Sequence, residues 1–243
     1  MKIASFNIKH HIFRNNTKIS NEVFKVIQDN NIDILCTQEI PRDLARSFQK
    51  NMEGYTVNGD SRYHRYLKSL PFNEKNPILT KYDVVETKTI RYRNKISSVK
   101  HFFRYLQHAP IFPRIVTIVI VKIKNDKDLC IINTHLDYKL SIIQKSQLNQ
   151  LLEIICEYMK KYKIVLLGDF NMDLNDEHFV SFIELLKSIK INMVNISKCT
   201  WRSKKGKERA VDYIFLSDSI DVKDFGIIKS NRLSDHDIIY VEI

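Results

Sequence analysis

Residues 163–171 read KIVLLGDFN, and in this segment a continuous apolar run ends in a glycine followed by Asp169 and Asn171. A short run of β-branched and aliphatic residues is typical of a strand that is buried on both faces. The polar pair therefore stands where this strand passes into a loop, which is where functional side chains gather. An Asp and an Asn at such a place also commonly form a turn, because both side chains bond nearby backbone.

Other apolar runs along the chain end in polar side chains in the same manner. We predict strands at residues 2–8, 32–37, 77–80, 115–123, 129–134, 163–168, 211–216 and 237–243. The polar residues beside them are Asn7, Glu39, His135, Asp169, Asn171, Asp212, Asp235 and His236. Each has an ordinary explanation on its own, such as a helix cap or a packed histidine. Six such strand ends in order along one chain favour a common functional site.

Helical patterns lie between some of these strands. Ser20 can begin a helix that runs to about Asp29, residues 141–162 form a second pattern, and Asp176 can cap a third. Strands and helices mixed in this way indicate an α/β (α+β) protein with two central sheets covered by helices. The chain has five glycines, five prolines and no low-complexity linker or repeat, so residues 1–243 are expected to form a single domain.

Composition narrows the class of protein. The 44% hydrophobic content excludes a mainly disordered chain of 243 residues. No apolar run approaches the roughly 20 residues of a membrane-spanning helix, and the first residues lack a signal-peptide pattern, so we expect a cytoplasmic protein. The four cysteines form no close pair, which disfavours a zinc site or a disulfide framework. The net charge of +11 favours polyanionic partners: nucleic acid, anionic lipid headgroups or phosphorylated small molecules.

Two segments carry much of the positive charge. Residues 88–114 hold seven Lys or Arg residues, no acidic residue and five aromatics. This segment is either a hairpin or loop beside the active face or an amphipathic segment with its aromatics in the core. The second segment comprises Lys198, Arg202, Lys204, Lys205, Lys207 and Arg209, with Trp201 among them. Its tryptophan could stack on a base, while the alternative is a solvated loop that keeps the protein soluble.

Six short motifs together carry a family resemblance. They are SFNI (5–8), QE (38–39), NTHLD (133–137), LLGDFN (166–171), VDYIF (211–215) and SDH (234–236). In this combination the sequence resembles the endonuclease/exonuclease/phosphatase superfamily, which includes deoxyribonuclease I, exonuclease III type nucleases, neutral sphingomyelinases and inositol polyphosphate 5-phosphatases. The resemblance implies a four-layered α/β sandwich, with two mainly antiparallel sheets flanked by helices. It also implies an active, metal-dependent hydrolase of phosphate esters.

Phosphodiester cleavage needs neutralised phosphoryl charge, a deprotonated water and help for the leaving oxygen. The resemblance implies that Glu39 is the main ligand of Mg²⁺, with Mn²⁺ as an alternative ion. Asn7 and Asp235 are expected to assist, directly or through water. Asp169 would orient and deprotonate the attacking water. Asn171 would hold the phosphate or the nucleophile.

Two histidines complete the expected chemistry. His135 occupies a family position that contacts a phosphoryl oxygen. Asp212 is the implied partner of His236, and a carboxylate partner would keep that imidazole protonated at neutral pH. Arg114 is a further candidate for a phosphate contact, whereas Glu74 is expected to be structural.

The substrate is argued from charge. A nuclease acting on DNA or RNA is favoured, and its expected substrate-binding residues are Arg114, Trp201, Arg202, Lys204 and Lys205. A phospholipid-directed enzyme, similar to sphingomyelinases or phosphoinositide phosphatases, is the main alternative, because basic residues interleaved with aromatics also suit an anionic membrane interface. A non-catalytic nucleic-acid-binding protein on the same fold is a third hypothesis. We expect a monomer.

Overall fold

The computed structural model describes residues 1–9, 15–62, 73–93, 113–124, 126–195 and 199–243. The greater part of the basic segment 88–114, together with Lys198, lies outside the described residues. The strands are β1 (Lys2–Asn7), β2 (Ile34–Gln38), β3 (Thr56–Asn58), β4 (Ile78–Thr80), β5 (Val84–Arg91), β6 (Ile115–Val121), β7 (Leu129–His135), β8 (Lys163–Asp169), β9 (Ile191–Met193), β10 (Trp201–Arg202), β11 (Glu208–Arg209), β12 (Asp212–Ser217), β13 (Asp224–Ile228) and β14 (Ile238–Glu242). The helices are α1 (Asn16–Asp29), α2 (Arg42–Asn51), α3 (Ser141–Tyr158) and α4 (Glu177–Ser188).

Two six-stranded sheets form the centre of the molecule, with strand orders β13-β14-β1-β2-β4-β3 and β5-β6-β7-β8-β12-β9. Each sheet contains one parallel pair, β1 with β2 and β7 with β8, and its other neighbouring strands are antiparallel. β10 and β11 form a separate two-stranded hairpin. The expectation of two mainly antiparallel sheets is confirmed.

Three apolar clusters separate four layers. One contains inward side chains of both sheets, among them Ile34, Val165 and Val241. A second packs α1 and α2 on the first sheet, and a third packs α3 and α4 on the second sheet. The continuously apolar sequence of strand β8 is explained by its position between two layers. Val165 and Leu167 face the other sheet, whereas Ile164 and Leu166 face the helices. Successive side chains of a strand point to opposite faces, so burial of both faces requires an apolar residue at every position.

Side-chain caps mark the start of two of the four described helices. The Asp176 carboxylate accepts hydrogen bonds from the amides of His178 and Phe179, which confirms its predicted capping role. Helix α1 begins earlier than predicted, because Asn15 is the cap and accepts from the Lys18 amide, while Ser20 is buried within the helix. In the described part of the chain, no helix is both long and apolar enough to cross a membrane.

Candidate active site

The site lies where the parallel strand pairs of the two sheets end. Asn7 is in register with Gln38 at the ends of β1 and β2, and His135 is in register with Asp169 at the ends of β7 and β8. The two sheets meet at this edge, because Asn7 Nδ2 donates a hydrogen bond to Asp169 Oδ2 at 2.9 Å. Side chains that are 162 positions apart in the chain are thereby in direct contact.

Glu39 is the first residue after β2 and has left-handed backbone, with a φ of 59°. Its Oε1 atom lies 3.3 Å from Asn7 Nδ2 and 3.8 Å from His135 Nε2. The side chain keeps 29% of its surface exposed, so this carboxylate faces the open side of the site. Left-handed backbone is unfavourable for a residue with a Cβ, and its use here re-aims the carboxylate toward the strand ends.

Asp169 is the centre of the arrangement and is almost fully buried. Its Oδ1 atom accepts the backbone amide of Asn171 at 2.8 Å, a turn bond of the kind expected for this residue pair. Asn171 is left-handed, with a φ of 56°, and its Nδ2 donates to the carbonyl of Leu136 at 3.1 Å. Burial raises the pKa of Asp169, the nearby Asp212 carboxylate adds to the rise, and the charge of His236 opposes both.

Gly168, which precedes Asp169, is required by close packing. Its φ is +145°, and a Cβ at this position would lie 2.0 Å from the carbonyl oxygen of Thr134. The two parallel strands therefore approach each other closely beneath the site, and only glycine fits there.

His236 and Asp212 form the expected pair. His236 Nδ1 lies 2.9 Å from Asp212 Oδ2, and both side chains are buried. Burial alone lowers the pKa of His236, but Asp212, aided by Asp169 and Asp235, outweighs it and raises the pKa to about 10. The imidazole is therefore protonated at neutral pH, with its Nε2 atom 3.8 Å from Asp169 Oδ2.

His135 is in the opposite state. It is buried, and burial lowers its pKa well below the ordinary range, with the charges of Arg114, Arg62 and His236 acting in the same direction. Arg114 Nη1 lies 3.0 Å from each ring nitrogen of His135. A neutral imidazole can accept this hydrogen bond, so the site contains one neutral and one protonated histidine.

Asp235 is engaged by two groups. Its Oδ2 atom accepts a hydrogen bond from the indole nitrogen of Trp201 at 2.9 Å and forms a short ion pair with Lys9. The hairpin β10–β11 is joined to the site at this point. The Arg202 amide donates a hydrogen bond to the Asp235 carbonyl at 2.9 Å, and Trp201 pairs with His236 in an isolated antiparallel β-bridge.

The remaining predicted substrate-binding residues differ in their surroundings. Arg202 is ion-paired with Asp237 and Glu208, each at 2.7 Å. Lys204 and Lys205 are exposed at the tip of the hairpin. The two lysines are thus available to an approaching ligand, whereas the Arg202 guanidinium already has two carboxylate partners.

Two cations near the site were not identified from the sequence. Lys9 follows Asn7 by two positions and reaches Asp235, and its position just after SFNI is the signal that could have indicated it. Arg62 is buried and forms a short ion pair with Glu74, and the local sequence carries no motif for it. Burial raises the pKa of Glu74 in spite of Arg62, and the charge of Glu39 adds to the rise.

A buried polar network supports the site from below. Gln38 Nε2 donates to Asn133 Oδ1 at 2.7 Å and to Ser5 Oγ at 3.0 Å. Asn133 Nδ2 in turn lies 2.9 Å from the carbonyl of Thr37. The bonds between Gln38 and Asn133 and between Asn133 and Thr37 cross from one sheet to the other, and such buried hydrogen bonds favour one relative placement of the sheets.

Two groups of side chains have donors suited to a metal ion. Glu39 presents carboxylate oxygen atoms at the open side of the site, and such hard donors match Mg²⁺. Asn7 is buried beside it, and its Oδ1 atom accepts a hydrogen bond from the backbone amide of Lys9 at 3.0 Å. Donor atoms of Asp169, Asp212 and His236 also lie within 4.8 Å of one another. A protonated imidazole is not a ligand, so the pair His236–Asp212 fits a metal less well than the Glu39 side does.

The chain folds as a four-layered α/β sandwich and brings carboxylates, imidazoles and amides together at one end of its sheets, as phosphoesterases of this fold do. The model of the Endonuclease/Exonuclease/phosphatase family matches residues 4–236, and the chain belongs to this family. No curated protein matches the sequence.

Solved structures share the fold at low sequence identity. An endonuclease/exonuclease/phosphatase from Bacteroides vulgatus is 19% identical, with a TM-score of 0.78 and coverage of 100% of this chain and 98% of that chain. A mannosyl-6-phosphatase from Bacteroides thetaiotaomicron is 19% identical, with a TM-score of 0.74 and the same coverage values, 100% and 98%. TDP2 from D. rerio, complexed with a single-strand DNA product, is 14% identical, with a TM-score of 0.75 and coverage of 99% and 97%.

Proposed function

We propose that this protein is a Mg²⁺-dependent phosphodiesterase that cleaves nucleic acid, DNA or RNA. One observation carries the proposal: three groups from three strand ends converge on a single oxygen, Asp169 Oδ2. Asn7 Nδ2 lies 2.9 Å from it, His135 Nε2 lies 3.6 Å from it and His236 Nε2 lies 3.8 Å from it. A buried carboxylate with one amide donor and two imidazoles beside it is placed to orient a water and accept its proton.

Two positively charged side chains of the site suit a phosphoryl group that gains negative charge. His236 carries a positive charge that Asp212 maintains, so it can stabilise that charge or donate a proton to the leaving oxygen. Arg114 brings a second positive charge to the neutral ring of His135. Asn171 is fixed at the same edge by Leu136 and would hold the phosphate or the attacking water.

Glu39 would be the main ligand of the metal ion, with Asn7 beside it. When bound there, Mg²⁺ or Mn²⁺ supplies positive charge that polarises the phosphoryl oxygens. Asp235 would assist directly or through water. Its carboxylate is paired with Lys9, so a direct bond from Asp235 requires that pair to separate.

Charge supports nucleic acid as the substrate. The net charge is +11, and Lys204, Lys205 and Lys207 are exposed on a hairpin that is joined to the site through Trp201 and Asp235. A polyanionic backbone that extends beyond the scissile phosphate would meet these lysines. Among the solved structures with this fold, TDP2 from D. rerio is complexed with a single-strand DNA product. The Bacteroides thetaiotaomicron structure is that of a mannosyl-6-phosphatase, so the fold also serves substrates other than nucleic acid.

The test is cleavage of end-labelled single- and double-stranded DNA and of RNA, with Mg²⁺ or with a chelator. Wild type is compared with Asp169→Asn and with Asp221→Asn, a matched change at an exposed carboxylate near the far ends of the strands. We expect metal-dependent cutting by wild type and by Asp221→Asn, and a loss of at least about a hundredfold in Asp169→Asn. Absence of cutting on all three polymers contradicts the nuclease proposal, and phosphoinositides and sphingomyelin are then the substrates to test.

A further inference from the structure

Tyr138 is an exposed aromatic side chain at the mouth of the site. It follows the NTHLD segment and keeps 50% of its surface exposed. The guanidinium carbon of Arg114 lies 5.9 Å from the centre of the Tyr138 ring. The same guanidinium lies 3.0 Å from the ring nitrogens of His135, so Arg114 connects the tyrosine to the buried centre of the site.

The backbone that carries Tyr138 is tightly held. The Asp137 carboxylate accepts the amides of Lys139 and Leu140 at 2.8 and 3.0 Å. Two glutamines from α3 fix the main chain of Asp137, since Gln147 accepts from its amide and Gln144 donates to its carbonyl, each at 2.8 Å. An aromatic ring on such a turn can meet a ligand at little cost in conformational entropy.

The surroundings of the ring favour a ligand that is both flat and anionic. The Lys139 ammonium lies 5.1 Å from the ring centre, so two cations lie close to this half-exposed aromatic ring. A nucleotide combines a π face with a phosphate and matches both features. Stacking of a base on an aromatic side chain is sequence-tolerant, because every base has such a face.

We propose that Tyr138 stacks on the nucleobase that adjoins the scissile phosphate, while Arg114 contacts that phosphate. This inference rests on the proposed function and names the part of the substrate that the site recognises next to the cleaved bond. Tyr138 would act on binding and placement of the substrate and not on the chemical step.

The test compares two probes: oligothymidylate and an oligomer with the same backbone in which abasic sugars replace the nucleotides. Tyr138→Ala is expected to raise the KM for oligothymidylate about tenfold and to leave the KM for the abasic oligomer within about twofold. Tyr138→Phe keeps the ring and should match wild type on both probes. Lys139→Ala removes a charge without removing a stacking face, so it should raise both KM values equally.

Phe225→Ala is the matched control, because Phe225 is a similarly exposed aromatic, at 44%, on the edge strand β13. It should leave both KM values unchanged. Wild-type cleavage with an unaltered KM in Tyr138→Ala would overturn this inference alone, as would an equal loss on both probes, which indicates contact with the sugar. Inactivity of wild type on every oligonucleotide would overturn the proposed function and this inference with it.

Discussion

His236 Nδ1 lies 2.9 Å from Asp212 Oδ2, and the opposite ring nitrogen lies 3.8 Å from Asp169 Oδ2. One imidazole is thus held between two buried carboxylates. Burial lowers its pKa, but Asp212 and Asp169 outweigh burial and raise the value to about 10. The pKa of the Asp169 carboxyl is itself raised by burial, and groups whose environments alter their pKa values in this way are typical of acid–base pairs.

Asp212→Asn is expected to lower the pKa of His236, because burial is then opposed only by Asp169 and Asp235. Titration of the imidazole signals by NMR measures this pKa directly. The turnover number should fall by about 10²–10⁴-fold, and the alkaline limit of activity should move to lower pH. Asp224→Asn, an exposed aspartate at the start of β13, is the control and should change neither quantity. An unchanged His236 pKa in Asp212→Asn would contradict the assignment.

The raised pKa also predicts how stability depends on pH. The folded protein retains the His236 proton up to about pH 10, whereas the unfolded chain releases it near pH 6.5. This group therefore contributes stability that is fully present below pH ~6.5 and is lost as the pH rises toward 10. Urea unfolding across this pH range should show that the free energy of unfolding falls less in Asp212→Asn than in wild type. An equal loss in both proteins would show that the Asp212–His236 pair is not its source.

Lys9→Met should strengthen metal binding. The substitution removes the cation that pairs with Asp235 and places a similar-sized neutral side chain there. An effect of about 1 kcal/mol, or roughly fivefold in the dissociation constant, is expected for one charge near a partly exposed site. Calorimetric titration of Mn²⁺ into Asp169→Asn, with and without Lys9→Met, measures the effect without turnover. Weaker binding in the double variant would mean that Lys9 supports the site and does not compete for Asp235.

Gly168→Ala should be severely destabilising. The added Cβ would lie 2.0 Å from the Thr134 carbonyl oxygen, and the φ of +145° is one that alanine rarely adopts. A loss of ~3–5 kcal/mol in the free energy of unfolding is expected. Gly206→Ala is the comparison: its φ is also positive, at +80°, but its Cβ meets no atom within 4 Å, so a loss of only ~1–2 kcal/mol follows. Similar losses at the two positions would refute the packing argument.

Lys204→Ala combined with Lys205→Ala should weaken nucleic-acid binding without altering the chemical step. Both lysines are exposed at the hairpin tip. Two lost phosphate contacts would reduce the slope of log K against log salt by about 1.8 on duplex DNA and about 1.4 on single strands. Anisotropy titrations at several salt concentrations measure this slope. An unchanged slope would indicate that the hairpin is only a solvated loop.

Sequence alone predicts the inner strands of both sheets because these strands are largely buried on both faces. Runs such as residues 163–168 and 115–123 are largely apolar, and this pattern identifies a buried strand without knowledge of which elements pack against it. Helix α2 (Arg42–Asn51) was missed, because it buries only Leu44, Ala45 and Phe48 in an otherwise polar segment. The four edge strands β3, β5, β9 and β13 were missed for a related reason, since each is partly exposed.

The polar residues at the strand ends could be predicted to gather, but their contacts could not. The approach of Asn7 to Asp169 depends on how one sheet lies over the other, which no local pattern specifies. The pairing of Lys9 with Asp235 and the burial of Arg62 against Glu74 likewise arise from tertiary packing. The roles proposed for these residues stay predictions until the variants are measured.

The left-handed backbone of Glu39 lowers the stability of the folded protein at the position that supplies the carboxylate of the proposed metal site. A φ of 59° is costly for glutamate and free for glycine, so a search for thermostable variants would favour Glu39→Gly. That same change would delete the carboxylate that faces the open side of the site. Stabilised versions of this protein should therefore be selected with position 39 held fixed, since gains obtained there would come from dismantling the proposed metal site.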